Sequence, residues 1–127
     1  MEEQKISAQK ISLKSGSEIA LVKLGGYVDQ VSIAQLEKVL DLILRKKIYR
    51  IVVDLTQAEY VGSAGWGVFL SELRTIRHHG GDLKLVGMNP NVYEVFELLE
   101  LGYILDATST FEEAIVSLAE VETPTVV

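Results

Sequence analysis

The residues best able to do chemistry lie in one stretch, Asp54-Leu55-Thr56 followed by Tyr60-Val61-Gly62-Ser63-Ala64-Gly65-Trp66-Gly67. It offers a carboxylate, two hydroxyls and a run of small residues that would let another backbone come close. If a helix begins there, its unpaired N–H groups and positive dipole end would welcome an anion. The same residues fit a purely structural role, with Ser63 as a helix N-cap and the glycines allowing tight helix–strand packing. The spacing is not G-x-x-x-x-G-K, so it is no phosphate-binding P-loop. Asp29 and Asp54 would both stand at strand ends near Ser63. Asp29 then serves either as a turn or cap residue or as a carboxylate beside the hydroxyl, and Asp54 and Thr56 hold loop backbone groups. Trp66, the sole tryptophan, is either core or, if uncovered, an interface anchor. His78-His79 does not make a metal site, because adjacent helical residues point roughly 100° apart and no cysteine or ordered acidic cluster completes the set. Histidines suit a helix C-terminus, and Glu94, Glu97 and Glu100 read as a solvated face. With no nucleophile beside a base, no nucleotide loop and no metal cluster, neither catalysis nor a cofactor is expected.

The elements that must position this stretch are legible from periodicity. Lys5 to Lys14 alternates, and Ser15-Gly16-Ser17 turns it into the apolar run Ile19 to Leu24, a β-hairpin whose second strand ends at Gly25-Gly26. Ser32-x-x-Gln35 matches a capping box ahead of a helical stripe, Leu36, Val39, Leu40, Ile43 and Leu44. Arg50 to Leu55 is a short β-branched run with little alternation, as expected of a central strand covered on both faces. A loop from Thr56 to Gly62 leads to a helix with Phe69, Leu70, Leu73 and Ile76 inward, ended by His78-His79-Gly80-Gly81. Lys84-Leu85-Val86 is a further buried strand. Asn89-Pro90 opens a helix with Val92, Val95, Phe96 and Leu99 inward and Gly102 at its close. Tyr103 to Leu105 is a last short strand. Ser109-x-x-Glu112 caps a terminal helix with Phe111, Ala114, Ile115 and Leu118 on one face.

The order ββαβαβαβα predicts an α/β fold, an open and mostly parallel sheet with the first strand antiparallel at one side. Sites in such sheets form outside the carboxyl ends of the strands, which directs attention to Gly25–Asp29, Leu55–Gly65 and Gly87–Pro90. At 127 residues the chain has room for about one domain, expected over 1–121 with a frayed tail at 122–127. Eighteen acidic against twelve basic side chains give a net charge of −6, the wrong sign for direct nucleic-acid binding. The absence of cysteine suits a reducing compartment, and no apolar run nears the roughly 18–20 residues of a membrane span. A cytoplasmic protein without membrane contact is expected.

The hairpin, Gly26-Tyr27-Val28-Asp29, Asp54-Leu55-Thr56 and above all Tyr60-Val61-Gly62-Ser63-Ala64-Gly65-Trp66-Gly67-Val68-Phe69-Leu70 resemble the STAS domain of stand-alone bacterial anti-sigma factor antagonists, over nearly the whole chain. The resemblance implies a switch. The unmodified antagonist docks on an anti-sigma factor that is also a serine kinase and frees the sigma factor, until phosphorylation of the second serine of a typical Asp-Ser-Ser-Gly-Leu motif ends the interaction. Here Gly62 replaces the usual aspartate and Ala64 the acceptor serine. Ser63 matches the preceding serine and is the only neighbouring hydroxyl to stand in for the acceptor. Asp29 corresponds to the family's aspartate near the phosphorylation site. The partner surface implied is Asp29, Gly62, Ser63, Ala64, Gly65 and Trp66, with Asp54 and Thr56 as loop supports, on a monomer or weak homodimer.

Two other classes compete. A two-component receiver domain shares the length, acidity and α/β order, but it needs an acidic pair after its first strand and a lysine after its last. Here those positions read Lys14-Ser15-Gly16 and Asp106-Ala107. A STAS scaffold or adaptor without phospho-switching is the other, and Ala64 favours it.

Overall fold

A computed structural model describes residues 6–121 of the chain. The termini, including the tail expected to fray at 122–127, lie outside the described residues. The order is β1 (Ile6–Ser12), β2 (Glu18–Val28), α1 (Gln30–Arg45), β3 (Arg50–Val61), α2 (Ser63–His78), β4 (Asp82–Val86), α3 (Pro90–Leu98), a 3-10 turn (Leu101–Tyr103), β5 (Asp106–Thr108) and α4 (Phe111–Val121). This is the ββαβαβαβα order expected. The five strands lie in the sheet in chain order, β1 antiparallel to β2 and the other pairs parallel. Gly16, at φ +97°, makes the hairpin turn.

Three right-handed crossovers that all step the same way along a sheet put their helices on one face. Accordingly Leu36, Leu40 and Ile43 of α1, Phe69 of α2 and Phe96 of α3 share one core with Ala20, Val22, Ile51, Val53, Leu83 and Leu85. The alternate strand residues, Ile19, Leu21, Val52 and Val86, meet Ala114 and Leu118 of α4 on the other face. Ile51, Val52 and Val53 are wholly buried, as the unbroken apolar run of a middle strand requires.

Four boundaries differ from the sequence expectation. First, β2 and β3 run past Gly25 and Leu55 to Val28 and Val61 as a two-stranded ribbon, pairing Gly25 with Gln57, Gly26 with Ala58, Tyr27 with Tyr60 and Val28 with Val61. Thr56 to Val61 is therefore strand rather than loop. It escapes notice because its partner is Gly-Gly and only Ala58 and Val61 are buried on it. Second, the expected strand at 103–105 is the 3-10 turn, whose Leu101 carbonyl accepts from Ile104 and Leu105 N–H, and the last strand is Asp106–Thr108. Glu100, at φ +57°, ends α3 instead of Gly102. Third, α1 is capped one turn earlier, by Asp29 and Ser32. Fourth, Thr110 and Glu113, not Ser109 and Glu112, cap α4: Thr110 Oγ1 accepts from Glu113 N–H, and Glu113 accepts from Ser109 N–H.

Candidate functional site

The ribbon decides the site. Val28 and Val61 are its last paired residues, and the next residues, Asp29 and Gly62, are the N-caps of α1 and α2. Two helix amino ends therefore emerge side by side, tied by the Gly62 N–H, which donates to the Val28 carbonyl at 2.9 Å. Asp29 is used as a cap: its Oδ1 accepts from Val31 N–H at 3.0 Å, and its own N–H donates to Ser32 Oγ at 3.0 Å. The cap reading of Asp29 is the one its bonds express, and the residue follows Val28, whose carbonyl holds the α2 cap.

At α2 the cap is Gly62, with no side-chain hydrogen bond, and no acidic residue occupies the first turn. Ser63 is thus the first helical residue rather than the cap, and its hydroxyl is left exposed. Gly62 and Ala64 are half-buried and Gly67 is exposed. Two members of the expected partner surface turn inward. Gly65 is buried, and a Cβ there would sit 3.0 Å from Val61 Cγ1 and 3.1 Å from Val28 Cγ1, so the missing side chain lets the first turn of α2 seat closely on the ribbon. Trp66 is 2% exposed and packs edge-on against Phe69 and tilted against Phe96, at ring-centroid distances of 5.9 and 5.8 Å. It is a core residue and cannot anchor a partner.

Asp54 and Thr56 are not brought to Ser63. Six strand residues separate Asp54 from Val61, on the order of 20 Å along an extended chain. Asp54 Oδ1 accepts from Thr56 N–H at 2.9 Å and from Thr56 Oγ1 at 2.5 Å, a closed local turn. Thr56 in turn supports the loop after β4, where Gly87 lies so close, at φ +80°, that a Cβ would fall 2.4 Å from Thr56 Oγ1. Asn89 fastens the same loop by donating from Nδ2 to the Ala58 carbonyl at 3.0 Å while capping α3. The loop-holding role expected of Asp54 and Thr56 is what these bonds perform, at a place remote from Ser63.

The structure adds residues that were not singled out in the sequence. Tyr27 and Tyr60, cross-strand partners on the ribbon, are 56% and 41% exposed with ring centroids 6.1 Å apart, and Val31 is 89% exposed. Together with Asp29, Ser63, Ala64 and Gly67 they give the two helix ends an apolar border suited to protein contact. The available signal was period-two patterning: an aromatic residue at a strand position whose neighbours Val28 and Val61 are buried must point outward. His78 and His79 lie at the other end of α2, and no group of three or more metal-ligating side chains occurs among the described residues. No helix among them is long and apolar enough to cross a membrane.

Comparison with known proteins agrees with this geometry. The STAS domain profile matches residues 10–114. The chain is 33% identical over 105 residues to BtrV of Bordetella bronchiseptica, provisionally named as an anti-sigma factor antagonist, spanning 83% of this chain and 90% of that protein. It is 25% identical over 83 residues to the anti-sigma-B factor antagonist of Listeria monocytogenes, 65% of this chain and 73% of that one. The fold is shared with SpoIIAA, an anti-sigma factor antagonist solved in its unphosphorylated form, at a TM-score of 0.73 and 22% identity over 90% of this chain and 97% of that one. The chain belongs to the STAS domain family.

Proposed function

We propose that the chain is an anti-sigma factor antagonist: it binds an anti-sigma factor that is also a serine kinase, through the paired amino ends of α1 and α2, and so releases a sigma factor in the cytoplasm. The names of its relatives support the class of activity. The observation that carries the reading is the uncovered start of α2, where exposed Ser63 stands beside Asp29 and the Tyr27–Tyr60 pair. Ala64 holds the position of the family's acceptor and has no hydroxyl. The surface therefore stays competent to bind unless Ser63 takes the phosphate.

Magnitudes support the logic of such a switch. A phosphate adds about −1.5 to −2 charges, and a helix amino end offsets about 0.3–2 kcal/mol of its cost, so the modified domain stays folded. Burying that charge unpaired in an interface of about 800 Å² per side costs several kcal/mol, roughly a hundredfold or more in affinity. Incubation with the kinase partner and ATP, followed by intact mass, tests the reading. Permanent competence predicts no added mass and a complex that survives ATP, whereas a phosphate that disappears in Ser63→Ala contradicts it. Ala64 also favours a scaffold that never switches. Gel filtration separates the two, since a scaffold self-assembles and an antagonist forms a small complex with its partner.

A further inference from the structure

At the end of β3 opposite Ser63, the α1–β3 turn, the α2–β4 turn and the start of β2 line a half-open cavity of about 190 Å³. Lys47, Tyr49, Arg50, His79, Gly81 and Glu18 line it. Four of the chain's twelve lysines and arginines fall within the six residues Arg45-Lys46-Lys47-Ile48-Tyr49-Arg50, in a protein of net charge −6. The carboxyl end of α1 accounts for Arg45 and Lys46, because helix C-termini favour cations. It does not account for Arg50, which begins β3. Arg50 is half-buried, its Nε is shielded from solvent without a hydrogen-bond partner, and among the described residues its guanidinium has no ion pair. A guanidinium cannot shed its proton, so Arg50 keeps its charge at the cavity wall.

The rest of the lining points the same way. Lys47 holds φ +61°, a left-handed conformation that glycine would adopt without cost, so the turn keeps a cation where a neutral residue is easier. Gly81 presses the α2–β4 turn onto Tyr49, since a Cβ there would fall 1.8 Å from the Tyr49 carbonyl oxygen. That approach brings His79 over Tyr49, rings parallel within 6° and 4.2 Å apart. His79 Nδ1 donates to the Thr75 carbonyl at 2.9 Å, which leaves Nε2 without a partner among the described residues. Glu18 is the one carboxylate in the lining, and it is paired with Lys10 at 3.1 Å.

We propose that this cavity binds a small phosphate-bearing anion, with the Arg50 fork as its main ligand, Lys47 as a point charge and His79 Nε2, the acceptor nitrogen of the neutral ring, taking a hydrogen bond from a protonated phosphate oxygen. A planar guanidinium matches phosphate oxygens two at a time. The volume holds about six waters at roughly 30 Å³ each, room for inorganic phosphate or a short phosphate monoester.

The probe is inorganic phosphate, titrated into the full chain at constant ionic strength against chloride and followed by amide NMR. Saturable shifts at Lys47 to Arg50 and at Gly80 and Gly81 are expected, weakened about tenfold or more in Arg50→Gln and unchanged in Ser63→Ala. Unsaturable shifts, or equal affinity in Arg50→Gln, overturn the proposal. Lys47→Gly guards against a folding defect, because it relieves the left-handed strain while removing a charge. The expected result is an equal or higher melting temperature with weaker phosphate binding, and a higher melting temperature with unchanged binding overturns it. Phosphatidylcholine vesicles containing phosphatidic acid form a separate arm. No co-sedimentation supports a free anion, and co-sedimentation that Arg50→Gln abolishes overturns that source in favour of a lipid headgroup.

Discussion

Gly65 and Gly67 are two residues apart on α2 and have opposite physical meanings. Gly65 has Val61 and Val28 methyl carbons waiting at 3.0 and 3.1 Å, whereas a Cβ at Gly67 meets nothing within 4 Å. Gly65→Ala should lower stability by about 1–3 kcal/mol through overpacking. Gly67→Ala should raise it by up to about 1 kcal/mol, the helix-propensity difference between the two residues. Urea unfolding checks both. If the start of α2 is the docking surface, Gly67→Ala weakens partner binding while stabilising the fold, a combination that a purely structural glycine does not produce. Trp66→Ala should cost about 3–5 kcal/mol, as for other buried aromatics truncated to alanine, and that loss would be seen without any partner present.

Among the elements, the short edge strand β5 needs the most explanation, since three residues of ladder hold little on their own. Lys84 on β4 lies directly across from Asp106 on β5, and its Nζ, 5% exposed as a side chain, reaches Asp106 at 2.6 Å and Asp82 at 3.3 Å. Arg77 of α2 completes the chain of charges through Asp82 at 3.0 Å and also donates to the Ile104 carbonyl at 2.7 Å. The network thus ties α2, β4, β5 and the turn before it. Breaking a buried pair costs about 3–5 kcal/mol, and because Asp106 is half exposed the expected loss for Lys84→Ala is about 2–3 kcal/mol. Lys84→Met should lose less, since it keeps the packing. Hydrogen exchange should show the amides of residues 106–108 opening first in both variants.

Across the whole molecule, charge is unevenly placed, with basic residues gathered around the turn after α1 and acidic ones where α1 and α2 face each other. Glu72 of α2 has its carboxyl raised above the ordinary range by burial, then by the charges of Asp41 and Glu37 on α1. The folded state therefore keeps the Glu72 proton to higher pH than the unfolded chain does, and this contribution to stability falls as pH rises through the raised value. Glu72→Gln should be more stable than the parent at neutral pH by no more than about 0.5 kcal/mol, since water screens the site, and the advantage should vanish below the unfolded carboxylate range. Melting curves of both proteins from pH 3 to pH 7.5 would reveal it.

How much of this could be read in the chain differs from element to element. The apolar stripes of α1 and α2, the unbroken run Ile51-Val52-Val53 and the Asn89-Pro90 start needed only local periodicity and capping chemistry and stand where expected, whereas Leu99, expected on the inward stripe of α3, is its C-cap and 48% exposed, because the helix ends at Leu98. The STAS motif around Ser63 was equally visible, because residue types and order are local facts. What sequence could not decide was the extension of β2 and β3. A strand built on Gly25-Gly26 and Thr56-Gln57 has no hydrophobic signature, and its ladder exists only because two distant segments meet. That pairing moves Asp54 away from Ser63, sets Asp29 beside Gly62, and turns Tyr27 and Tyr60 outward as neighbours. Burial likewise belongs to the assembled fold: whether Trp66 faces a partner or a core depends on Phe96, thirty residues on, which no local pattern connects to it.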